Sequence, residues 1–261
     1  MKTFGKIAAL SMVVIAIVVL NSFIWTSATT NKVVELPING KSFAVLELFT
    51  SEGCSSCPPA EELLAKIDRE SNGKPVYVLA YHVDYFDNLG WKDVFGSAEN
   101  TRRQQRYSSW LNSQVYTPQL VVNGTSEFIG SDEPKISNAI DGQLLIKHTT
   151  ALSLSSEADA KAVTVTYDAK AVQAGEELVL ALVQKNGHTD VKRGENEGRS
   201  LSHIQIVRKT AVISLKETHA GSAILNFPKD AEKQDWEIIG LIQNARTGQI
   251  TAVTKIEVNH S

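Results

Sequence analysis

Cys54 and Cys57 are the only two cysteines in this 261-residue chain, set two residues apart in Glu47-Leu48-Phe49-Thr50-Ser51-Glu52-Gly53-Cys54-Ser55-Ser56-Cys57-Pro58-Pro59-Ala60. Thiols at that spacing can close a small disulfide ring, exchange disulfides with another molecule, or hold a soft metal. A ring this small adds little as a structural staple, and zinc would need two further ligands. The choice among these chemistries depends on the elements that carry the pair.

Upstream, Ala44 to Phe49 is a short apolar run of the kind expected for a strand buried on both faces, and Thr50 to Gly53 carries a turn signal. Downstream, Ala60, Leu63, Leu64 and Ile67 recur at helical spacing, with Glu61, Glu62, Lys66 and Arg69 on the remaining positions. Pro58 and Pro59 suit a first helical turn, where a missing N–H costs nothing. Both cysteines therefore belong where a strand feeds a helix N-terminus, whose free amides and partial positive charge favour a thiolate. On this reading Cys54 is the more exposed sulfur and the nucleophile, and Cys57, about one turn behind it, is the resolving thiol. The amides of Ser55, Ser56 and Cys57 are expected to point at a Cys54 anion, with the hydroxyls of Ser55 and Ser56 as further donors.

A Cys-x-x-Cys on a strand-to-helix turn resembles the thioredoxin superfamily. Tyr116-Thr117-Pro118-Gln119-Leu120-Val121-Val122-Asn123-Gly124 fits as a second feature, a proline opening an apolar strand that ends in Asn-Gly. The resemblance implies that the Thr117–Pro118 bond is cis and faces the disulfide, with the Thr117 backbone open to an extended substrate by strand addition. Taken alone, Pro118 reads as a trans proline on a strand edge. The wider wording, from Leu46-Glu47-Leu48-Phe49-Thr50 through His82-Val83-Asp84-Tyr85 to Arg193-Gly194-Glu195-Asn196, is similar to a secreted thioredoxin-like family known as domain-of-unknown-function family 1223. One departure concerns the buried acid that thioredoxin carries six residues before its first cysteine, where this chain has Leu48. Glu47, one residue off, points to the opposite strand face. An acid in an apolar run must be paired or protonated, so Glu47 either meets an arginine or backbone donor or stands near the sulfurs.

The rest of the chain supplies the setting. Lys2 and Lys6 precede an apolar run from Ile7 to about Leu20 that resumes at Phe23-Ile24-Trp25 and is followed by Thr26-Ser27-Ala28. Residues 1–28 thus read as an export signal, either cleaved or kept as an N-terminal membrane anchor. Both readings place the remainder outside the cytoplasm, periplasmic or secreted. A net charge of −3 with 21% charged residues excludes a nucleic-acid-binding composition.

Pro75 to Tyr81 reads as a second buried strand, followed by His82, Asp84 and Asp87, which could ligate a metal or anchor a loop. Ser97 to Trp110 suits a polar helix whose Arg102, Arg103 and Arg106 either steer an anionic partner or form a solvated face. Glu127 to Gly130 reads as a hairpin partner, and Pro134 to Lys147 as a closing helix with Ile136, Ile140, Leu144 and Ile146 inward. From about Thr149 the period becomes alternating, with short runs at Val163 to Tyr167, Leu178 to Val183, Ile204 to Val207, Ala211 to Leu215, Ala223 to Phe227, Trp236 to Ile242 and Ile250 to Val258. These imply a β-sandwich. One long connection, Asn186 to Ser200, with Lys192, Arg193, Glu195, Glu197 and Arg199, is either a solvated loop or a flap over the cysteines. His188 and His203, flanking it, read as hydrogen-bonded structural groups.

The expected architecture is an α/β thioredoxin-like domain at 40–148, a mixed sheet with flanking helices, followed by an all-β sandwich at 149–258. The expected activity is thiol–disulfide exchange on a protein or small-molecule thiol, with Cys54 and Cys57 catalytic and Thr117 and Pro118 binding substrate. Glu47, Ser55 and Ser56 would surround them, with no cofactor or metal beyond the redox-active pair. The competing expectation is a binding module in which the sandwich recognises a partner and the cysteines hold Cu(I).

Overall fold

A strand that reads as apolar at almost every position needs neighbours on both edges and cover on both faces, and β1 (Ala44–Thr50) has them. In the computed structural model, which describes residues 42–229 and 235–258, all seven of its residues are buried. β2 (Val76–His82) pairs with it in parallel and β3 (Gln119–Val122) antiparallel. α1 (Pro58–Glu70) links β1 to β2. The candidate export segment, residues 1–28, lies outside the described residues, among which no helix is long and apolar enough to cross a membrane.

The remaining elements are α2 (Ala98–Leu111), β4 (Ser126–Ile129), α3 (Glu133–Gln143), β5 (Ala151–Ala158), β6 (Ala162–Lys170), β7 (Glu176–Asp190), β8 (Ser200–Ser214), β9 (Ala220–Asn226), β10 (Trp236–Asn244) and β11 (Ile250–Val258). They form an eight-stranded mixed sheet in the order β11-β10-β7-β8-β2-β1-β3-β4 and a three-stranded sheet β5-β6-β9. The described residues fall in a single compact unit. The expected boundary near 149 marks a change from helical to strand cover, but one sheet runs across it, because β8 pairs in parallel with β2 at Ala80 and Ile206.

Two strand runs in the sequence, Ile204–Val207 and Ala211–Leu215 up to Ser214, belong to the single strand β8, since β7 pairs along it from Ser214 back to Ser200. α3 ends at Gln143, earlier than expected, and Ile146 beyond it is 46% exposed rather than inward.

The alternation of each strand divides the core. Leu46, Leu48, Val78, Ala80, Leu120 and Val122 pack with Ala60, Leu63, Leu64 and Ile136 under α1 and α3. Further along the large sheet, Leu178, Leu180, Leu182, Trp236 and Ile238 meet Leu152, Leu154, Val163 and Val165 of the small sheet. The intervening positions, among them Val45, Phe49, Leu79, Tyr81, Val179, Ala181, Ile239 and Leu241, gather around Tyr107 of α2. At the tips of the two end hairpins, Ile250 N donates to Asn123 O at 2.9 Å. A Cβ on Gly124 (φ +67°) would lie 1.9 Å from Gly248 O, so this close approach requires glycine.

Glu47 sits in the layer around α2. Its carboxylate, 0% exposed, accepts Arg103 Nε at 3.0 Å and Nη2 at 2.6 Å, and also the Tyr107 hydroxyl. Gln243 of β10 completes the group, donating to Tyr107 Oη at 2.8 Å and accepting from Arg103 Nη1 at 3.3 Å. Arg103 is therefore neither a steering charge nor part of a solvated face. It turns inward because a buried carboxylate on β1 needs a cation. Glu47 pairs with an arginine, and its side chain lies on the sheet face opposite Leu48, which packs under α1.

Candidate functional site

α1 begins where the prolines place it, with Cys57 at its N-cap and the Cys57 carbonyl accepting Ala60 N at 2.9 Å and Glu61 N at 3.1 Å. Cys54 and Cys57 are joined as a disulfide. Cys57 is 0% and Cys54 3% exposed, so both cysteines are buried. Ser55 and Ser56 between them are exposed.

The expected amide donors are partly engaged elsewhere. Cys57 N donates to Cys54 O at 3.2 Å, closing the turn, and Ser55 N donates to Glu195 Oε2 at 3.0 Å. What stands beside the outer sulfur is a hydroxyl: Ser56 Oγ lies 3.3 Å from Cys54 Sγ and 3.5 Å from Thr117 O. The Thr117–Pro118 peptide is cis. Pro118 O accepts Gly130 N at 2.9 Å, and a Cβ on Gly130 would come within 3.0 Å of Leu48, Ala60 and Pro118 side-chain atoms. The lack of a side chain at Gly130 thus lets β1, α1 and the proline turn close on one another. Thr117, Pro118, Ser56 and Cys54 are brought together; Glu47 is held apart by Arg103 and Tyr107.

The connection between β7 and β8 is shorter than the sequence suggests, because Asn186 to Asp190 continue β7. Residues 191–199 close on themselves through Val191 N to Arg199 O and Gly198 N to Val191 O, both 2.9 Å. They then reach the cysteine turn. Asn196, 1% exposed, donates through Nδ2 to Glu52 O at 2.8 Å and to Cys54 O at 2.9 Å. Gly194 (φ +83°) lies against Trp91, whose Nε1 donates to Glu52 Oε2 at 2.7 Å.

Beneath this turn lies a buried polar cluster. Glu61 accepts Thr50 Oγ1 at 2.6 Å and is hydrogen-bonded to His203 Nδ1. His203 Nε2 faces Glu52 Oε1 at 3.4 Å. His82 Nδ1 meets Asp93 Oδ2 at 2.7 Å, and that oxygen also accepts Glu52 N at 2.8 Å. Burial opposes charge throughout, yet Glu52 and Glu61 push His203 up to about 10, while His203 draws Glu61 and His82 draws Asp93 below the usual carboxylate range. Of the His82, Asp84 and Asp87 stretch, the two aspartates anchor the loop: Asp84 accepts Thr101 Oγ1 at 2.6 Å and Asp87 accepts Asp93 N at 3.1 Å. A cavity of 690 Å³ lies at the Val76 end of β2, lined by Asp68, Arg69, Lys185, Glu237 and Lys255, and touches neither cysteine.

A family model described as a protein of unknown function (DUF1223) matches residues 45–243, spanning the cysteine turn, the proline turn and the 191–199 loop. The chain belongs to the DUF1223 family. No curated protein matches this family member. Among solved structures, a protein of Agrobacterium tumefaciens is similar at 29% identity over 82% of this chain and 93% of its own, with a TM-score of 0.56. HBP35 of Porphyromonas gingivalis is 16% identical over 84% of this chain and 76% of its own, with a TM-score of 0.59, and shares the fold.

Sequence reading of this DUF1223 protein missed Glu52, Glu61, Asp93 and His203 as one group. Glu61 was expected on the outer face of α1; it turns inward because Thr50 and His203 offer it partners. The 191–199 loop carries a prediction. Asn196→Ala leaves two buried carbonyls without their donor, a loss of about 1–3 kcal/mol. Spent on local opening, that energy corresponds to a rise of about 5- to 150-fold in the rate at which dithiothreitol reduces the Cys54–Cys57 bond. An unchanged rate in a folded variant would reduce the segment to an ordinary loop.

Proposed function

We propose that this protein is an exported thiol–disulfide oxidoreductase whose site is built on a thioredoxin-like half, with the all-β half contributing the 191–199 cover. The observation that carries the reading is the Ser56 hydroxyl set between Cys54 Sγ and the carbonyl of a cis X-Pro bond. This contact supports the docking of an extended substrate on the Thr117 backbone, beside a disulfide at a helix N-terminus.

In the reducing direction, the Cys54 thiolate attacks one sulfur of a substrate disulfide, forming a mixed disulfide and releasing the other substrate sulfur as a thiolate. The Cys57 thiolate then attacks Cys54 Sγ, the second substrate thiolate leaves, and the Cys54–Cys57 disulfide holds the two electrons' worth of oxidation. The oxidising direction is the exact reverse. The protein's contribution is to favour the Cys54 anion by the end of α1 and the Ser56 hydroxyl, and to shield Cys57 within the first turn. The Lys2-to-Ala28 segment supports an extracytoplasmic site of action, where such exchange has substrates.

The reading is tested by a short pulse of iodoacetamide on the freshly reduced protein near neutral pH, followed by peptide mass analysis. Cys54 should be modified faster than Cys57, which is 0% exposed at the N-cap of α1. Equal rates, or faster labelling of Cys57, would contradict the assigned roles.

A further inference from the structure

The buried cluster under the cysteine turn is not used by the exchange chemistry, and its composition is unusual for a protein interior. Three carboxylates, Glu52, Glu61 and Asp93, are between 0% and 9% exposed, and they face two imidazoles, His82 and His203. No lysine or arginine pairs with any of the five among the described residues. Even with both rings protonated, negative charge exceeds positive in a region where unbalanced charge is costly.

One buried atom in the group, His82 Nε2, also lacks a hydrogen-bond partner, while His203 Nε2 and Glu52 Oε1 face only each other, at 3.4 Å. His82 is 0% exposed, and Asp93 holds its Nδ1 at 2.7 Å, so Nε2 is the nitrogen turned away from that carboxylate. His203 has a carboxylate at each nitrogen, Glu61 at Nδ1 and Glu52 facing Nε2 at 3.4 Å, so an ion shared by Nδ1 and Glu61 leaves Glu52 behind the ring. A carboxylate on the far nitrogen is the arrangement that orients and strengthens a metal-binding histidine. Ligand atoms of Glu61, His82 and His203 lie within 4.8 Å of one another. Metal–ligand bonds of about 2.0–2.2 Å require those atoms to close in by about an ångström, within the reach of small side-chain rotations.

We propose that Glu61, His82 and His203, with Glu52 beside them, form a binding site for a first-row divalent cation. Imidazole and carboxylate donors select zinc, cobalt or manganese over the soft ions that thiolates take. Trp91 donates to the Glu52 carboxylate and Asn196 to the Glu52 carbonyl, so the 191–199 loop is tied to the residue beside the site. This inference does not depend on the exchange reading.

The test uses the full chain carrying Cys54→Ser and Cys57→Ser, so that thiolates contribute nothing. The protein is stripped with a chelator and titrated with Co(II). One equivalent should bind, giving visible d–d bands without a thiolate charge-transfer band, and Zn(II) should displace it. His82→Gln and His203→Gln in that background should each weaken binding at least about 100-fold, and Asp93→Asn about 10- to 100-fold. Circular dichroism reports whether each variant is folded. Failure of the double-serine protein to bind cobalt overturns the proposal whatever the variants do, as does undiminished binding by a folded His82→Gln or His203→Gln protein.

Discussion

Arg103→Ala is expected to destabilise the protein by about 3–5 kcal/mol, the usual consequence of leaving one member of a buried ion pair alone. Glu47 is 0% exposed, and with Arg103 gone its carboxylate keeps only the Tyr107 hydroxyl inside an apolar layer. The guanidinium also lies 5.3 Å from the Tyr81 ring centroid and 5.2 Å from that of Tyr107, so its loss strips cation–π contacts from both. At this chain length the change corresponds to a fall in Tm of about 6–20 °C. Glu47→Gln combined with Arg103→Met removes both charges and should recover most of the loss, because the desolvation penalty disappears with the pair. Urea unfolding of the single and double variants measures both. A single variant within about 1 kcal/mol of the parent, the range of an exposed pair, would show that the carboxylate finds water.

Local pattern carried much of the architecture. The apolar run at β1, the helical spacing from Ala60 to Ile67 and the prolines behind Cys57 each express a single short-range rule, and each element lies where that rule puts it. The alternation after Thr149 likewise marked strands. What alternation cannot carry is which strand lies beside which. Ala80 and Ile206 are paired across more than a hundred residues, and nothing in either segment's period distinguishes an edge facing its own half from one facing the other. The single sheet running from β4 to β11 was therefore invisible to a reading that placed a boundary near 149.

The site divides in the same way. The Cys54–Cys57 pair and the cis Pro118 were legible because residue type and spacing within each short motif mark them. Arg103 was read from the polarity of its helix, yet its environment is decided by Glu47 on a distant strand. Glu61 occupies a helix position that polarity assigns to solvent, and only the arrival of His203 from β8 makes it an inward group. Buried charge is legible only when both partners are known.

Cys54→Ser should abolish exchange, since the remaining thiol, Cys57, is 0% exposed and out of reach of the substrate, whereas Cys57→Ser should retain the first attack and lose the second. The intermediate is then stranded: a mixed disulfide on Cys54 with no resolving thiolate behind it. The asymmetry follows from position, with Cys54 beside Ser56 and the Thr117 carbonyl and Cys57 0% exposed at the N-cap of α1. The decisive measurement is to express each single variant in the native host, quench thiols with acid, and isolate covalent adducts under non-reducing conditions. The account predicts adducts released by dithiothreitol from the Cys57→Ser protein, all linked through Cys54, and almost none from Cys54→Ser. Equal trapping by the two variants, or none by either, would contradict it.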